Sequence, residues 1–102
     1  MKIILICSAG LSTTMLVNKM RESAEARNIP AEIKVLAESE QITDHIDGLH
    51  VVLIGPQVRF LEKKLRDSLE PEGIKVDVID QMAYGLMQGD KVLDQAVALY
   101  EN

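Results

Sequence analysis

Lys2-Ile3-Ile4-Leu5-Ile6 runs directly into Cys7-Ser8-Ala9-Gly10-Leu11-Ser12-Thr13-Thr14, and the join between these two segments decides the fold. The first is an unbroken series of β-branched and leucine residues. Continuous rather than alternating hydrophobicity marks a strand covered on both faces, as in a parallel sheet. The second is small, hydroxyl-rich and contains a glycine. Beyond it, Leu16, Met20 and Ala24 recur at helical spacing with Val17 beside them, while Asn18, Lys19, Arg21, Glu22 and Glu25 take the opposite face. The pattern predicts a strand over 2–6, Cys7 just past its end, and a helix from residue 12 or 13 to about Arg27.

The rest of the chain repeats this unit. Asn28-Ile29-Pro30 breaks the helix. Ile33, Val35 and Ala37 alternate with charged neighbours, which predicts a strand over 31–37 with one exposed face, at a sheet edge. Ser39 is placed to cap a short helix through Ile46, with Ile42 and Ile46 inward and Asp47-Gly48 ending it. Val51–Ile54 is a second continuous apolar strand, stopped by Gly55-Pro56. Val58, Leu61, Leu65 and Leu69 fall on one helical face, ended by Pro71 and Gly73. Ile74, Val76, Val78 and Ile79 give a fourth strand, and residues 80–89 a loop or short helical turn. Asp90 is placed to cap a last helix carrying Val92, Ala96 and Tyr100. Strictly alternating strands and helices imply right-handed crossovers and helices on both faces of a parallel sheet. The expected fold is a single α/β domain over residues 1–102, three-layered α/β/α, with four parallel strands in the order 2-1-3-4. The methionines at 15, 20, 82 and 87 read as core filler.

Composition narrows the function. The chain has 102 residues, 47% of them apolar, which suits one core. A net charge of −5 argues against a nucleic-acid partner, and aromatics at 3% argue against stacking on bases or sugar rings. A single cysteine excludes an internal disulfide. The apolar run at the N-terminus is too short for a secretory signal core or a membrane span, so the expectation is a soluble, cytoplasmic protein without direct membrane insertion. His45 and His50 lack a third nearby ligand and read as surface residues, so no metal site and no cofactor is expected. Lys63, Lys64 and Arg66 read as the solvated side of the third helix.

Cys7 carries the chemistry. In open α/β sheets, sites form at the carboxyl ends of strands where the strand order reverses; here that lies between strands 1 and 3. A helix N-terminus favours a thiolate over a thiol, and its free N–H groups can cradle a dianion placed on the sulfur. Small Ser8, Ala9 and Gly10 let the loop curl around that anion, and the hydroxyls of Ser8, Ser12 and Thr13 can add hydrogen bonds. This reading expects a sulfur within reach of solvent and ringed by amides. The alternative is an inert, buried structural cysteine, which the strand–cysteine–hydroxyl loop–helix context weighs against.

Cys7-Ser8-Ala9-Gly10-Leu11-Ser12-Thr13 resembles the phosphorylation loop of the IIB component of the lactose/cellobiose (chitobiose) class of the sugar phosphotransferase system. Leu53-Ile54-Gly55-Pro56-Gln57-Val58 is similar to that family's third-strand exit, and Val78-Ile79-Asp80 with Tyr84-Gly85 to its fourth. The resemblance implies that Cys7 accepts a phosphoryl group from a phosphohistidine of a IIA component. Cys7 then passes the group to a β-linked disaccharide or lactose-like sugar carried by a membrane IIC component. It implies phosphate contacts from Ser8, Ala9, Gly10, Leu11, Ser12 and Thr13, and a docking surface that includes Leu11, Pro56, Gln57 and Tyr84. A monomer that docks transiently is expected. Tyrosine phosphatases share a loop of cysteine, five residues and arginine, but here the arginine position holds Thr13. Without the guanidinium the transition state for transfer to water loses its fixed positive charge, which suits a carrier better than a phosphatase. Asp80, placed like a phosphatase general acid, is better explained as a turn cap. A non-catalytic regulatory module is the remaining alternative.

Overall fold

The two unbroken apolar runs become the central strands of the sheet. The computed structural model describes residues 1–8 and 11–102, with Leu11 and Ser12 described by backbone alone. Strands β1 (Lys2–Cys7), β2 (Glu32–Ala37), β3 (Val51–Ile54) and β4 (Lys75–Val78) are all parallel and stand in the order β2-β1-β3-β4. Every residue of β3 and all of Ile3–Cys7 are buried, because helices cover both faces. Helices α1 (Leu11–Ala26) and α4 (Gly89–Glu101) lie on one face with the short α3 (Gln81–Gly85); α2 (Glu62–Leu69) lies on the other. Side-chain alternation along β1 splits the core accordingly. Ile3 and Leu5 join Leu16, Val17, Met20, Val92, Leu93 and Ala96, whereas Ile4 and Ile6 join Val58, Leu65, Leu69 and Val76.

Several local features differ from expectation for identifiable reasons. β1 runs one residue farther than its aliphatic run, so Cys7 pairs with Ala37 inside the sheet rather than standing beyond it. β2 is an edge strand, yet Leu36 is buried on the side expected to be open. The segment after it folds back over Leu36 and packs Ile42 and Leu49 there. That segment forms only one 3₁₀ turn, Ile42–His45, without a side-chain cap. It offers few apolar anchors, and so short a helix cannot recover the cost of nucleation. The approach to α2 is likewise a 3₁₀ stretch, Pro56–Leu61, kinked at Val58 (φ −119°, ψ 28°), which turns Val58 inward.

Helix ends follow local chemistry. Asn28 adopts φ 55°, and Ile29 N–H donates to Ala24 O at 2.8 Å while Asn28 N–H donates to Glu25 O at 3.1 Å; this left-handed closure ends α1. Asp80 is a cap, its carboxylate accepting from Ala83 N–H at 2.9 Å to start α3. Asp90 is not: α4 begins at Gly89, two residues before a cap at Asp90 would start it, with Gln88 at the cap position and no side-chain cap bond. Gly89 sits where α4 crosses α1. A β-carbon there would lie 2.6 Å from Lys19 Cβ and 2.7 Å from Met20 N, so only a residue lacking one permits the approach. Among the methionines, Met20 is buried, but Met15 and Met82 are exposed. Tyr100 is also exposed, and its ring meets the His50 ring edge-on, centroids 5.0 Å apart.

Candidate functional site

The strand order reverses between β1 and β3, and the chain leaves both strands at the same edge. Two backbone bonds fix that edge around Cys7. Gly55 N–H donates to Ile6 O at 2.7 Å, and Glu38 N–H donates to Cys7 O at 2.9 Å. With Cys7 held from both sides, the residue is only 2% exposed, while Ser8 beside it is exposed. The solvent-reachable sulfur expected from the sequence is therefore not what the structure presents, because Cys7 closes the strand instead of opening the loop. Ala9 and Gly10, with their amides, lie outside the described residues, as do the side chains of Leu11 and Ser12.

Gly55 brings the exit of β3 against Cys7. A β-carbon at Gly55 would stand 3.3 Å from Cys7 Cβ, 3.3 Å from Ile6 O and 3.0 Å from Gln57 Oε1. The Gln57 amide thus reaches back over the glycine toward the cysteine, although the rest of Gln57 is exposed. Pro56 is half-buried between them. One of the expected docking residues, Gln57, thus shares with Cys7 the space beside Gly55.

A second cluster joins the start of α1 to the exit of β4. Thr13, in the first turn of α1, is buried at 3% exposure, and its Oγ1 lies 2.8 Å from Tyr84 Oη. Tyr84 is half-buried on α3. Its own position is fixed by Tyr84 N–H donating to Asp80 O at 2.9 Å. Gln95 of α4 accepts from Asp80 N–H at 3.1 Å and donates to Val78 O at 2.8 Å and Asp77 Oδ2 at 3.1 Å. Met82 and Leu86, on the outer side of this turn, are exposed at 70% and 62%. Sequence reasoning named Thr13 and Tyr84 for separate tasks and missed that they touch. It weighed Gly55 between shaping a docking surface and turn chemistry, and missed its close approach to Cys7.

The remaining candidates lie elsewhere. His50 Nδ1 accepts from Lys2 N–H at 3.0 Å, at the opposite end of β1, so this histidine is part of the sheet's amino edge rather than a free surface group. Among the described residues no cluster of three His, Cys, Asp or Glu side chains could hold a metal ion. Lys63 and Lys64 are exposed, but Arg66 is half-buried and bridges Glu62, Glu70 and Asp77. Its pKa is raised, chiefly by the hydrogen bond to Glu62. Among the described residues no helix is long and apolar enough to cross a membrane.

Comparison with known proteins agrees with this architecture. Residues 2–95 match the family model described as PTS system, Lactose/Cellobiose specific IIB subunit. The chain is 42% identical over 101 residues to the PTS system oligo-beta-mannoside-specific EIIB component of Bacillus subtilis, covering 99% of this chain and 97% of that one. It is 37% identical over 99 residues to the PTS system galactose-specific EIIB component of Lactococcus lactis, covering 92% and 91%. The solution structure of the cellobiose-specific phosphotransferase IIB component from Borrelia burgdorferi superposes with a TM-score of 0.81 at 40% identity, covering 100% of this chain and 93% of that one.

Proposed function

The chain belongs to the lactose/cellobiose-specific IIB family of the sugar phosphotransferase system, and from that premise we propose that Cys7 is its phosphoryl carrier. What carries the reading is the placement of Cys7: it closes β1 at the point where the strand order reverses, beside Gly55 and Gln57. In the first step the Cys7 thiolate attacks the phosphorus of a phosphohistidine on a IIA component. The S–P bond forms, the P–N bond breaks and the imidazole leaves. In the second, a sugar hydroxyl attacks that phosphorus, the P–O bond forms, the S–P bond breaks, and the hydroxyl proton passes to solvent or to a base of the acceptor complex. The sugar is carried by a membrane IIC component and is a β-linked disaccharide. The name of the Bacillus relative supports β-linked sugars, while that of the Lactococcus relative shows how far specificity varies within the family.

Ser8, Ala9, Gly10, Leu11, Ser12 and Thr13 hold the phosphoryl group, and Leu11, Pro56 and Gln57 face the docked partner. The whole chain, 1–102, acts as one domain, a cytoplasmic monomer that meets its partners transiently and needs no cofactor. Because Cys7 is buried, this reading requires the sulfur to be uncovered when the donor docks. The test is labelling from phosphoenolpyruvate through the general components and IIA. A phosphorus NMR resonance typical of a thiophosphate ester, absent in Cys7→Ser, is the expected result. Label on a histidine of this chain, or undiminished label on Cys7→Ser, overturns the proposal.

A further inference from the structure

We propose that Tyr84 is a positioning residue for phosphoryl transfer, acting through Thr13 rather than by touching the partner. This rests on the carrier role of Cys7 and adds to it a residue 77 positions downstream in the chain. Thr13 is buried, and a buried hydroxyl left without a partner carries a desolvation cost. Tyr84 Oη, 2.8 Å away, is the partner it finds. No local sequence feature requires this contact, which closes a separation of 71 residues.

The contact sits at the end of a continuous set of hydrogen bonds. Gln95 ties α4 to the exit of β4 through Asp77, Val78 and Asp80. Asp80 caps α3 through Ala83 N–H, and α3 carries Tyr84. Tyr84 then holds the first turn of α1, the helix that follows the Cys7 loop. The start of α1 is thereby fixed relative to the strand edge independently of the loop between them. A hydroxyl supplies one donor and two acceptor sites. When Tyr84 donates to Thr13, the Thr13 proton remains for another acceptor, such as an oxygen of the phosphoryl group. Removing the phenolic oxygen frees Thr13 to rotate and loosens the turn that orients the site.

Docking and positioning separate in steady-state kinetics. Uniform binding appears in KM, whereas orientation in the transition state appears in kcat. Tyr84→Phe, assayed for sugar phosphorylation with varied phospho-IIA, is expected to lower kcat about five- to tenfold with KM little changed, the loss of one ordered hydrogen bond. Thr13→Val also removes the hydroxyl offered to the phosphoryl group, so it is expected to lose at least as much, and the double variant to add little to Thr13→Val alone, since Tyr84 acts only through that hydroxyl. Thr13→Ser keeps the hydroxyl and is expected to transfer well above Thr13→Val. Thermal unfolding of each variant accompanies the kinetics, and Tyr84→Phe with Thr13→Ser suffices if Thr13→Val does not fold. A raised KM at unchanged kcat assigns Tyr84 to docking and overturns the inference. A lowered melting temperature with unchanged kinetics makes the contact merely structural and overturns it as well. If the unaltered chain takes no phosphoryl group on Cys7, the carrier reading itself fails; an active unaltered chain beside an unaffected Tyr84→Phe refutes this inference alone.

Discussion

Three glycines separate steric from dihedral cost, and Gly89→Ala is the decisive case. Gly89 has no left-handed φ, so alanine meets no backbone strain there. What it meets is α1: Lys19 Cβ at 2.6 Å, Lys19 C at 2.7 Å and Met20 N at 2.7 Å. Two of these are main-chain atoms and cannot rotate away. Reaching an ordinary separation of about 3.5 Å requires α4 to move off α1 by about 0.9 Å. The shift opens gaps around Met20, Val92 and Leu93, all fully buried at this face. Overpacking usually costs about 1–3 kcal/mol, and a clash with rigid backbone belongs at the upper end, about 3 kcal/mol. In urea unfolding, with a slope near 1 kcal/mol per molar for a domain of this size, the midpoint falls by about 3 M. Gly48→Ala is the dihedral control: φ is +70° and nothing lies within 4 Å of the added carbon, so the expected loss is about 1 kcal/mol. Gly85→Ala is the neutral control, with neither strain nor neighbours, and lies on α3. It is expected to be unchanged or stabilised by up to about 1 kcal/mol. If Gly89→Ala unfolds within about 0.5 kcal/mol of the unaltered chain, or if Gly85→Ala is equally damaging, the close crossing of α1 and α4 is not what selects glycine.

Two further outcomes follow from the geometry. Cys7 should react with iodoacetamide roughly tenfold or more slowly in the native chain than in urea, because it is 2% exposed; equal rates, followed by mass spectrometry, mean the strand end opens freely without a partner. Arg66 has a raised pKa, with the Glu62 hydrogen bond the largest cause, so its favourable contribution is present below the ordinary arginine range and is lost only as pH rises beyond it. The stability difference between the unaltered chain and Arg66→Met should therefore stay constant from pH 7 to 10, and it should shrink in high salt since the bridges are partly exposed; a change across that pH range in chemical-denaturation curves contradicts the assignment.

Much of the fold was legible because burial on both faces leaves a plain trace. Ile3–Ile6 and Val51–Ile54 are uninterrupted, and they are the central strands. The Leu16, Met20, Ala24 spacing gives the buried stripe of α1. What stayed hidden depends on partners far along the chain. Nothing local distinguishes Cys7 as the last strand residue from Cys7 as the first loop residue; the pairing with Ala37 decides it. Asp90 looks like a cap, but the start of α4 is set by Gly89 crossing Lys19 and Met20. Leu36 breaks the alternation of β2 because the 38–49 segment folds over it. Thr13 and Tyr84 were each legible as site residues, yet a contact across 71 positions has no periodic signature.

Burial of the cysteine changes what the carrier reading demands. A phosphoryl group on sulfur must survive in water between two partners, then leave quickly when the second arrives. Thr13 stands where a hydrolytic loop has arginine, and with its hydroxyl engaged by Tyr84 it supplies no fixed positive charge to stabilise attack by water. In the unphosphorylated chain the sulfur is closed into the strand edge. This closure bars a partner's histidine, so docking must move what covers Cys7. Among the described residues, those placed to transmit that movement are Gly55 and Gln57 on the β3 side and Glu38 on the β2 side. Of these only Gly55 combines a backbone bond to Ile6 with contact distance to Cys7. A partner that displaced Pro56 or Gln57 would therefore act on the cysteine through Gly55, packed so closely that even a β-carbon there would stand 3.3 Å from Cys7 Cβ.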